Sequence, residues 1–170
     1  METMIEGSFV LYENSKKLSR VDFVAREKEI ELVSTHVEKG EEGKGYASII
    51  VKNALEFAKK FEKIRISCPY IKKWIEKHGF EREVEFTKKL FFKEAVDKFN
   101  KYRSPEAKAE IVEISDESAV VKMSGPFCVS CGVFDYFEDL AVEANAKVVN
   151  YREIDDGFIV RYELKEVKKW

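Results

Sequence analysis

The segment Thr35-His36-Val37-Glu38-Lys39-Gly40-Glu41-Glu42-Gly43-Lys44-Gly45-Tyr46-Ala47 joins a strand-like stretch to a helix-like stretch through a glycine-rich turn. Residues 30–37 are rich in β-branched side chains that partly alternate with polar ones, which predicts a strand. Residues 46–61 repeat apolar side chains at helical spacing, which predicts an amphipathic helix. Gly43 and Gly45 allow backbone conformations that other residues avoid, and the free N–H groups of a first helical turn attract anions. The segment therefore predicts a cradle for a diphosphate group.

The spacing of these glycines excludes two common phosphate loops. A nucleotide-binding P-loop places Lys and Ser or Thr after its last glycine, and a dinucleotide loop adds a third glycine, but neither pattern follows Gly45. The Gly-x-Gly-x-Ala form of residues 43–47 resembles instead the coenzyme A loop of the GCN5-related N-acetyltransferases. Farther on, Cys68-Pro69-Tyr70-Ile71 precedes a predicted short helix and resembles the ending of the small, single-motif branch of that superfamily. The resemblance covers about residues 5–85.

The resemblance implies acetyl-coenzyme A as a cosubstrate and an amine as the acetyl acceptor. Its cofactor-binding residues would be Val37, through its backbone N–H, and the loop residues Gly43, Lys44, Gly45, Tyr46 and Ala47. Its catalytic residues would be Cys68, as a nucleophile or an aid to proton transfer, and Tyr70, as a proton donor to the departing thiolate. The alternative is that Cys68 is a buried packing residue and Tyr70 a half-buried aromatic anchor.

The loop departs from the family pattern at two positions, where a neutral and an acidic residue replace the residues that the family usually has. Gly40 stands where the superfamily usually has Gln or Arg, and Glu42 stands where the small branch often has a basic residue. A carboxylate facing a diphosphate would repel it. We therefore expect Glu41 and Glu42 to point to solvent, with Lys44 as the local compensating charge.

Three other side chains invite a functional reading that the pattern does not favour. Strand alternation puts His36 on the face opposite Thr35 and Val37, which argues against a general base beside the cradle. His78 falls in the last turn of the second predicted helix, where a histidine interacts favourably with the helix end. Trp74 lies at a spacing typical of a core position.

The composition excludes some classes of partner. The chain has 170 residues, 45% of them hydrophobic, and a formal net charge of −2, so charge gives no reason to expect nucleic acid or membrane binding. No apolar run is long enough for a membrane span and the first residues are acidic, so we expect a cytoplasmic protein. Glutamine is absent while Lys and Glu abound, a bias associated with thermophiles. Three cysteines do not suit a secreted disulfide framework.

The pattern of elements predicts an α+β protein with two domains. Residues 1–88 contain a hairpin of strands 8–13 and 20–27, then a strand–helix–strand crossover, which together predict a mixed sheet of the N-acetyltransferase type. Residues 71–78 predict a short helix and residues 80–86 a last strand. Residues 89–105 predict a connecting helix that ends before Pro105. Residues 106–170 predict a small ββαββ domain, which resembles no family that we recognise.

A Cys-x-x-Cys motif, Cys128 and Cys131, immediately precedes the helix of this second domain. Thiols near a helix N-terminus are favoured as thiolates, which suits metal binding or redox chemistry. A closed zinc site needs four ligands, and His36, His78 and Cys68 all lie in the other half of the chain. The remaining ligands would therefore come either across an interface with that half or from a second chain in a homodimer. The remaining alternative is a structural role, either as two small buried residues that shape a tight turn or as a disulfide pair.

These features leave three functional hypotheses open. The first is an N-acetyltransferase that acts on a small-molecule or protein amine. The second is a non-catalytic acyl-coenzyme A-binding or regulatory module whose Cys128 and Cys131 sense a metal or redox state. The third is an interaction scaffold in which the glycine-rich segment is only a tight turn.

Overall fold

The computed structural model describes residues 1–129 and 132–166, apart from the side chains of Cys128 and Val129. The chain divides into two compact units, Met1–Thr87 and Lys88–Trp170. The elements of the first unit are, in chain order, β1 Ile5–Glu13, β2 Lys16–Ala25, β3 Glu29–Val37, α1 Tyr46–Ala58, β4 Lys63–Ile66, α2 Pro69–His78 and β5 Glu85–Phe86.

The first unit is built on one mixed sheet in the order β1-β2-β3-β4-β5. The first three strands are antiparallel neighbours, whereas β4 runs parallel to β3 and β5 runs parallel to β4. Parallel neighbours require a crossover, and α1 supplies it between β3 and β4. The predicted antiparallel meander followed by a strand–helix–strand crossover is therefore confirmed.

One face of this sheet forms the core of the first unit. Ile30 and Leu32 of β3 and Ile64 and Ile66 of β4 are completely or almost completely buried, in one cluster with the apolar side of α1. Each such side chain contributes about 1.5–3 kcal/mol by leaving water. Alternate residues of these strands, such as Arg65, are polar and project from the other face, as the two-residue period of a strand requires.

Several element boundaries differ from the predicted ones. The strand β2 begins at Lys16 rather than Arg20, because Asn14 and Ser15, at φ of 48° and 65°, close the hairpin as a two-residue turn. The helix α2 begins at Pro69, since proline is well suited to a first helical position. The last strand is reduced to Glu85–Phe86, where the sequence predicted residues 80–86.

The second unit is an antiparallel sheet with helices packed in its core. Its elements are α3 Lys88–Arg103, β6 Lys108–Ile114, β7 Ser118–Ser124, α4 Val133–Glu143, β8 Ala146–Ile154 and β9 Gly157–Leu164, with a 3-10 turn at Pro126–Val129. The sheet order is β6-β7-β9-β8. The predicted connecting helix, α3, contributes Phe92, Val96 and Phe99 to the core of this unit.

Together the two units make an α+β protein, as the sequence predicts. The ββαββ order of residues 106–170 is also confirmed, with α4 between the two hairpins. Among the residues that the structure describes, no helix combines the length and the apolar character needed to cross a membrane.

Candidate functional site

The parallel strands β3 and β4 part from each other halfway along β3. The strand β4 pairs with Glu29 to Leu32 only, and the last bond between the two segments runs from the Ser67 N–H to the Leu32 carbonyl, at 2.9 Å. Residues up to Val37 continue β3 beside β2. The edge of β3 that would face β4 is therefore unpaired with β4 at its C-terminal end, and we call the opening between the two parting strands the slot.

The backbone of Val37 points into this slot. The Glu38 N–H donates to the Leu18 carbonyl of β2 at 2.9 Å, so the next pair along, Ser19 with Val37, is a pair without mutual hydrogen bonds. The N–H and C=O of Val37 consequently face away from β2. A strand edge with a free N–H can donate to the carbonyl oxygen of an extended ligand.

The helix α1 begins beside the slot without a capping side chain. Its N-cap is Gly45, at φ 85°, and no acidic side chain lies in its first turn, so the first N–H groups have no side-chain acceptor. Space is open where a Cβ on Gly43 or Gly45 would lie. The Ser19 hydroxyl donates to the Tyr46 carbonyl at 3.0 Å and fixes the helix start against β2. Open space in front of unpaired N–H groups fits a diphosphate.

Glu41 corrects the expectation that both loop glutamates point to solvent. Only Glu42 is exposed, and it folds back to accept a hydrogen bond from the Gly40 N–H at 2.7 Å. Glu41 is only 6% exposed and accepts hydrogen bonds from Lys16 and Lys44, the latter at 2.8 Å. The hydrogen bonds from both lysines hold the pKa of Glu41 below its usual value. The bond between Lys44 and Glu41 also raises the pKa of Lys44.

Lys16 is therefore a residue of the loop region that sequence reasoning missed. It lies 25 positions before Glu41, at the start of β2. No local spacing links the two positions, and the pairing of β2 with β3 brings them together. The only sequence signal that could have placed Lys16 near the loop was the predicted hairpin of the first two strands. The predicted turn of that hairpin wrongly included Lys16, which is the first residue of β2.

Cys68 and Tyr70 lie where β4 gives way to α2, on the other side of the slot. Cys68 is the N-cap of α2, is 4% exposed, and belongs to the core cluster. Its Sγ lies 3.3 Å from the Thr35 Oγ1, which bridges the separating ends of β3 and β4. Tyr70 is 42% exposed. Of the two predicted catalytic side chains, the phenol is thus open to solvent and the thiol is largely covered.

A hydrogen bond joins the two helices at the slot. The Trp74 Nε1 donates to the Ser48 Oγ at 2.8 Å, which links α2 to the first turn of α1. The His78 ring stacks on the Trp74 ring, with centroids 4.4 Å apart. The predicted core position of Trp74 is only partly buried, and its indole N–H links the middle of α2 to the first turn of α1.

His36 lies on the face of the sheet opposite Thr35, as alternation among residues 35–37 predicts. Its Nε2 is 3.1 Å from both the Ser34 Oγ and the Asp22 Oδ2. Burial alone would raise the pKa of Asp22, but hydrogen bonds from Ser8, Ser34 and Arg20 outweigh it and lower that pKa. His36 is therefore part of a polar network on one face of the sheet, whereas Thr35 lies on the opposite face, against which the helices pack.

The Cys-x-x-Cys motif lies outside the described residues, since Cys131 and the side chain of Cys128 are not among them. Metal binding or redox chemistry at this motif therefore stays a prediction. Within the described part of the chain, no three histidine, cysteine, aspartate or glutamate side chains group as metal ligands.

The chemical groups at the slot are mainly hydrogen-bond donors, and they carry little negative charge. Two helix N-termini and the Val37 N–H converge on it, and the loop carboxylate of Glu41 is already bonded to two ammonium groups. Such an arrangement is chemically suited to an extended anionic ligand with a carbonyl oxygen that gains negative charge. A phenol at its rim can donate a proton.

Comparison with protein families agrees with this geometry. Residues 8–84 match the family model described as GCN5-related N-acetyl-transferase. No curated protein and no solved structure gives a significant match to the chain. The matched residues include the whole of the open edge of β3, the glycine-rich loop and the start of α2. The predicted resemblance is confirmed: the first unit, over residues 8–84, is similar to the GCN5-related N-acetyltransferases.

Proposed function

We propose that the first unit binds acetyl-coenzyme A and transfers its acetyl group to an amine. The diphosphate would lie against the N–H groups of residues 43–47, and the acyl arm would lie along the open edge of β3. One observation carries the proposal: β4 leaves β3 at Leu32, so the Val37 N–H faces a slot next to the uncapped N-terminus of α1.

The first unit would contribute two groups to the reaction. The ligand itself would supply an acetyl group already activated as a thioester. The Val37 N–H would donate to the thioester oxygen, where negative charge grows as the acceptor nitrogen attacks the carbonyl carbon. When the carbon–sulfur bond breaks, the Tyr70 hydroxyl would donate its proton to the departing sulfur, and the acceptor nitrogen would release a proton to solvent.

The structure favours direct transfer over a covalent cysteine intermediate. A nucleophilic thiol must reach the carbonyl carbon, yet the Cys68 Sγ is 4% exposed and engaged with the Thr35 hydroxyl. In this position Cys68 would instead keep Thr35 and the two strand ends in place. Replacement of Cys68 by alanine should therefore leave a measurable rate, and replacement of Tyr70 by phenylalanine should lower kcat more than KM.

The first experiment is calorimetric titration of the full chain with acetyl-coenzyme A. A Gly45→Glu variant should lose the binding, because the new carboxylate would stand in front of the unpaired N–H groups of α1. Gly40→Glu is the matched control, since both glycines have φ 85° and open space where a Cβ would lie. Equal losses in the two variants would contradict a ligand at the helix start, and no binding by the unaltered chain would overturn the proposal.

A second candidate function is binding without turnover, in a regulatory module. The observation in its favour is the burial of Cys68, which removes the predicted nucleophile from the slot. A metal- or redox-dependent response of Cys128 and Cys131 would belong to this candidate. Saturable release of coenzyme A in the presence of a panel of primary amines would exclude it.

A further inference from the structure

The carboxylate of Glu41, in the glycine-rich loop, accepts hydrogen bonds from two lysines that lie in different parts of the first unit. Lys44 comes from between the two loop glycines, and Lys16 comes from the first position of β2. Because the lysines bind the two oxygens of one carboxylate, their ammonium groups are roughly 7 Å apart at most. A diphosphate has charged oxygens over a similar span.

We propose that Lys16 is a binding residue for the diphosphate of the coenzyme, acting with Lys44 across the buried carboxylate of Glu41. This inference rests on the proposed function of the first unit. It adds to the glycine loop a charged residue from a separate strand, so that the anion is held by backbone N–H groups on one side and by two ammonium groups on the other.

The charge of this group supports the assignment. Glu41 carries one negative charge against the two positive charges of Lys16 and Lys44, so this group of three side chains has a net positive charge, while the Glu42 carboxylate is turned back to the Gly40 N–H. Each ammonium group has three donors, so a bond to Glu41 leaves donors for a phosphate oxygen. The side chains of Lys16 and Lys44 are 64% and 52% exposed, which gives both ammonium groups freedom to turn to a ligand.

The neighbouring lysine provides a matched control. Lys17 follows Lys16 in the same strand and carries the same charge, but it pairs with Glu38 at 3.4 Å and does not bond to Glu41. A non-specific attraction of the ligand by positive charge would weaken equally when either lysine is replaced. A specific contact would depend on Lys16 alone.

The test is calorimetric titration of the full chain and its Lys16→Met, Lys17→Met and Lys16→Arg variants with coenzyme A and with dephospho-coenzyme A, which keeps the diphosphate but lacks the ribose phosphate. Lys16→Met should weaken both ligands about fivefold, as expected for a partly exposed charge-assisted bond. Lys17→Met should change affinity less than twofold, and Lys16→Arg should restore most of it. The loss should shrink as salt is raised from 50 to 300 mM.

Four results would count against the inference. Equal effects of Lys16→Met and Lys17→Met would show a non-specific charge effect, and an effect confined to coenzyme A would move the contact to the ribose phosphate. No change for Lys16→Met, with tight binding by the unaltered chain, would refute the role of Lys16 while leaving the proposed function intact. A failure of the unaltered chain to bind either ligand would remove the proposed function itself. Circular dichroism of each variant checks that the exposed substitutions leave the fold unchanged.

Discussion

The hydrogen bond between Trp74 and Ser48 should couple the stability of the first unit to its ligand affinity. It joins α2 to the first turn of α1 at 2.8 Å in a partly buried setting, so its net contribution to folding should be about 1 kcal/mol. Trp74→Phe removes the donor and keeps an aromatic ring that can stack on His78. Ser48→Ala removes the acceptor and suits the helix. The double variant completes a thermodynamic cycle.

Urea unfolding of the four proteins, followed by far-ultraviolet circular dichroism, gives the coupling energy. We expect about 1 kcal/mol, which is a shift of roughly 4–8 °C in melting temperature for a unit of this size. The same cycle measured on the Kd for acetyl-coenzyme A should also show coupling, because the bond holds the first turn of α1, where we propose that the diphosphate binds, against α2. A coupling energy below about 0.3 kcal/mol in stability would refute the structural role that we assign to the bond.

Three further changes test other parts of the chain. Glu41→Gln should lower stability at neutral pH; because the native pKa of Glu41 is depressed, this difference should shrink only below about pH 4.5, its ordinary value, in acid titrations of stability. Phe137→Ala, at a fully buried site in the second unit, should cost about 3–5 kcal/mol by calorimetry, whereas Phe134→Ala, 50% exposed, should cost much less. Gly157→Ala should lower the melting temperature strongly, since its Cβ would lie 2.1 Å from the Met123 carbonyl oxygen at φ 150°.

Local patterns were enough to predict most of the fold. The alternation in β3, the helical spacing after Gly45 and the short turns of the second unit are properties of neighbouring residues, and each element they predict is present. The strand–helix–strand order also determined that β3 and β4 are parallel. The exact ends were less predictable, because Asn14 and Ser15 adopt positive φ values that the residue types permit but do not require.

The sequence predicted the parts of the candidate site that lie within the glycine-rich loop. It did not predict the parts that depend on contacts between residues far apart in the chain. Gly43 and Gly45 identify the helix start by sequence alone. The bonds of Glu41 to Lys16 and of Trp74 to Ser48 join residues that are 25 and 26 positions apart. A charged residue in a loop is expected to be exposed to solvent when the sequence does not reveal its partner. Lys16 is such a partner, and for this reason the predicted orientation of Glu41 was wrong.

The orientation of Val37 depends on an irregularity that alternation by itself would get wrong. Leu32 pairs with Phe23 and Ser34 with Asp22, so Val33 is an extra residue in β3. A regular strand that buries Leu32 would turn residues 34 and 36 to the same face. The bulge reverses that phase: Thr35 reaches Cys68 on the helix side and His36 takes the opposite face. The same extra residue turns the Val37 N–H toward the side that β4 has left. One additional residue in β3 thus decides which backbone donor faces the slot, and the acetyl-binding role proposed for Val37 depends on it.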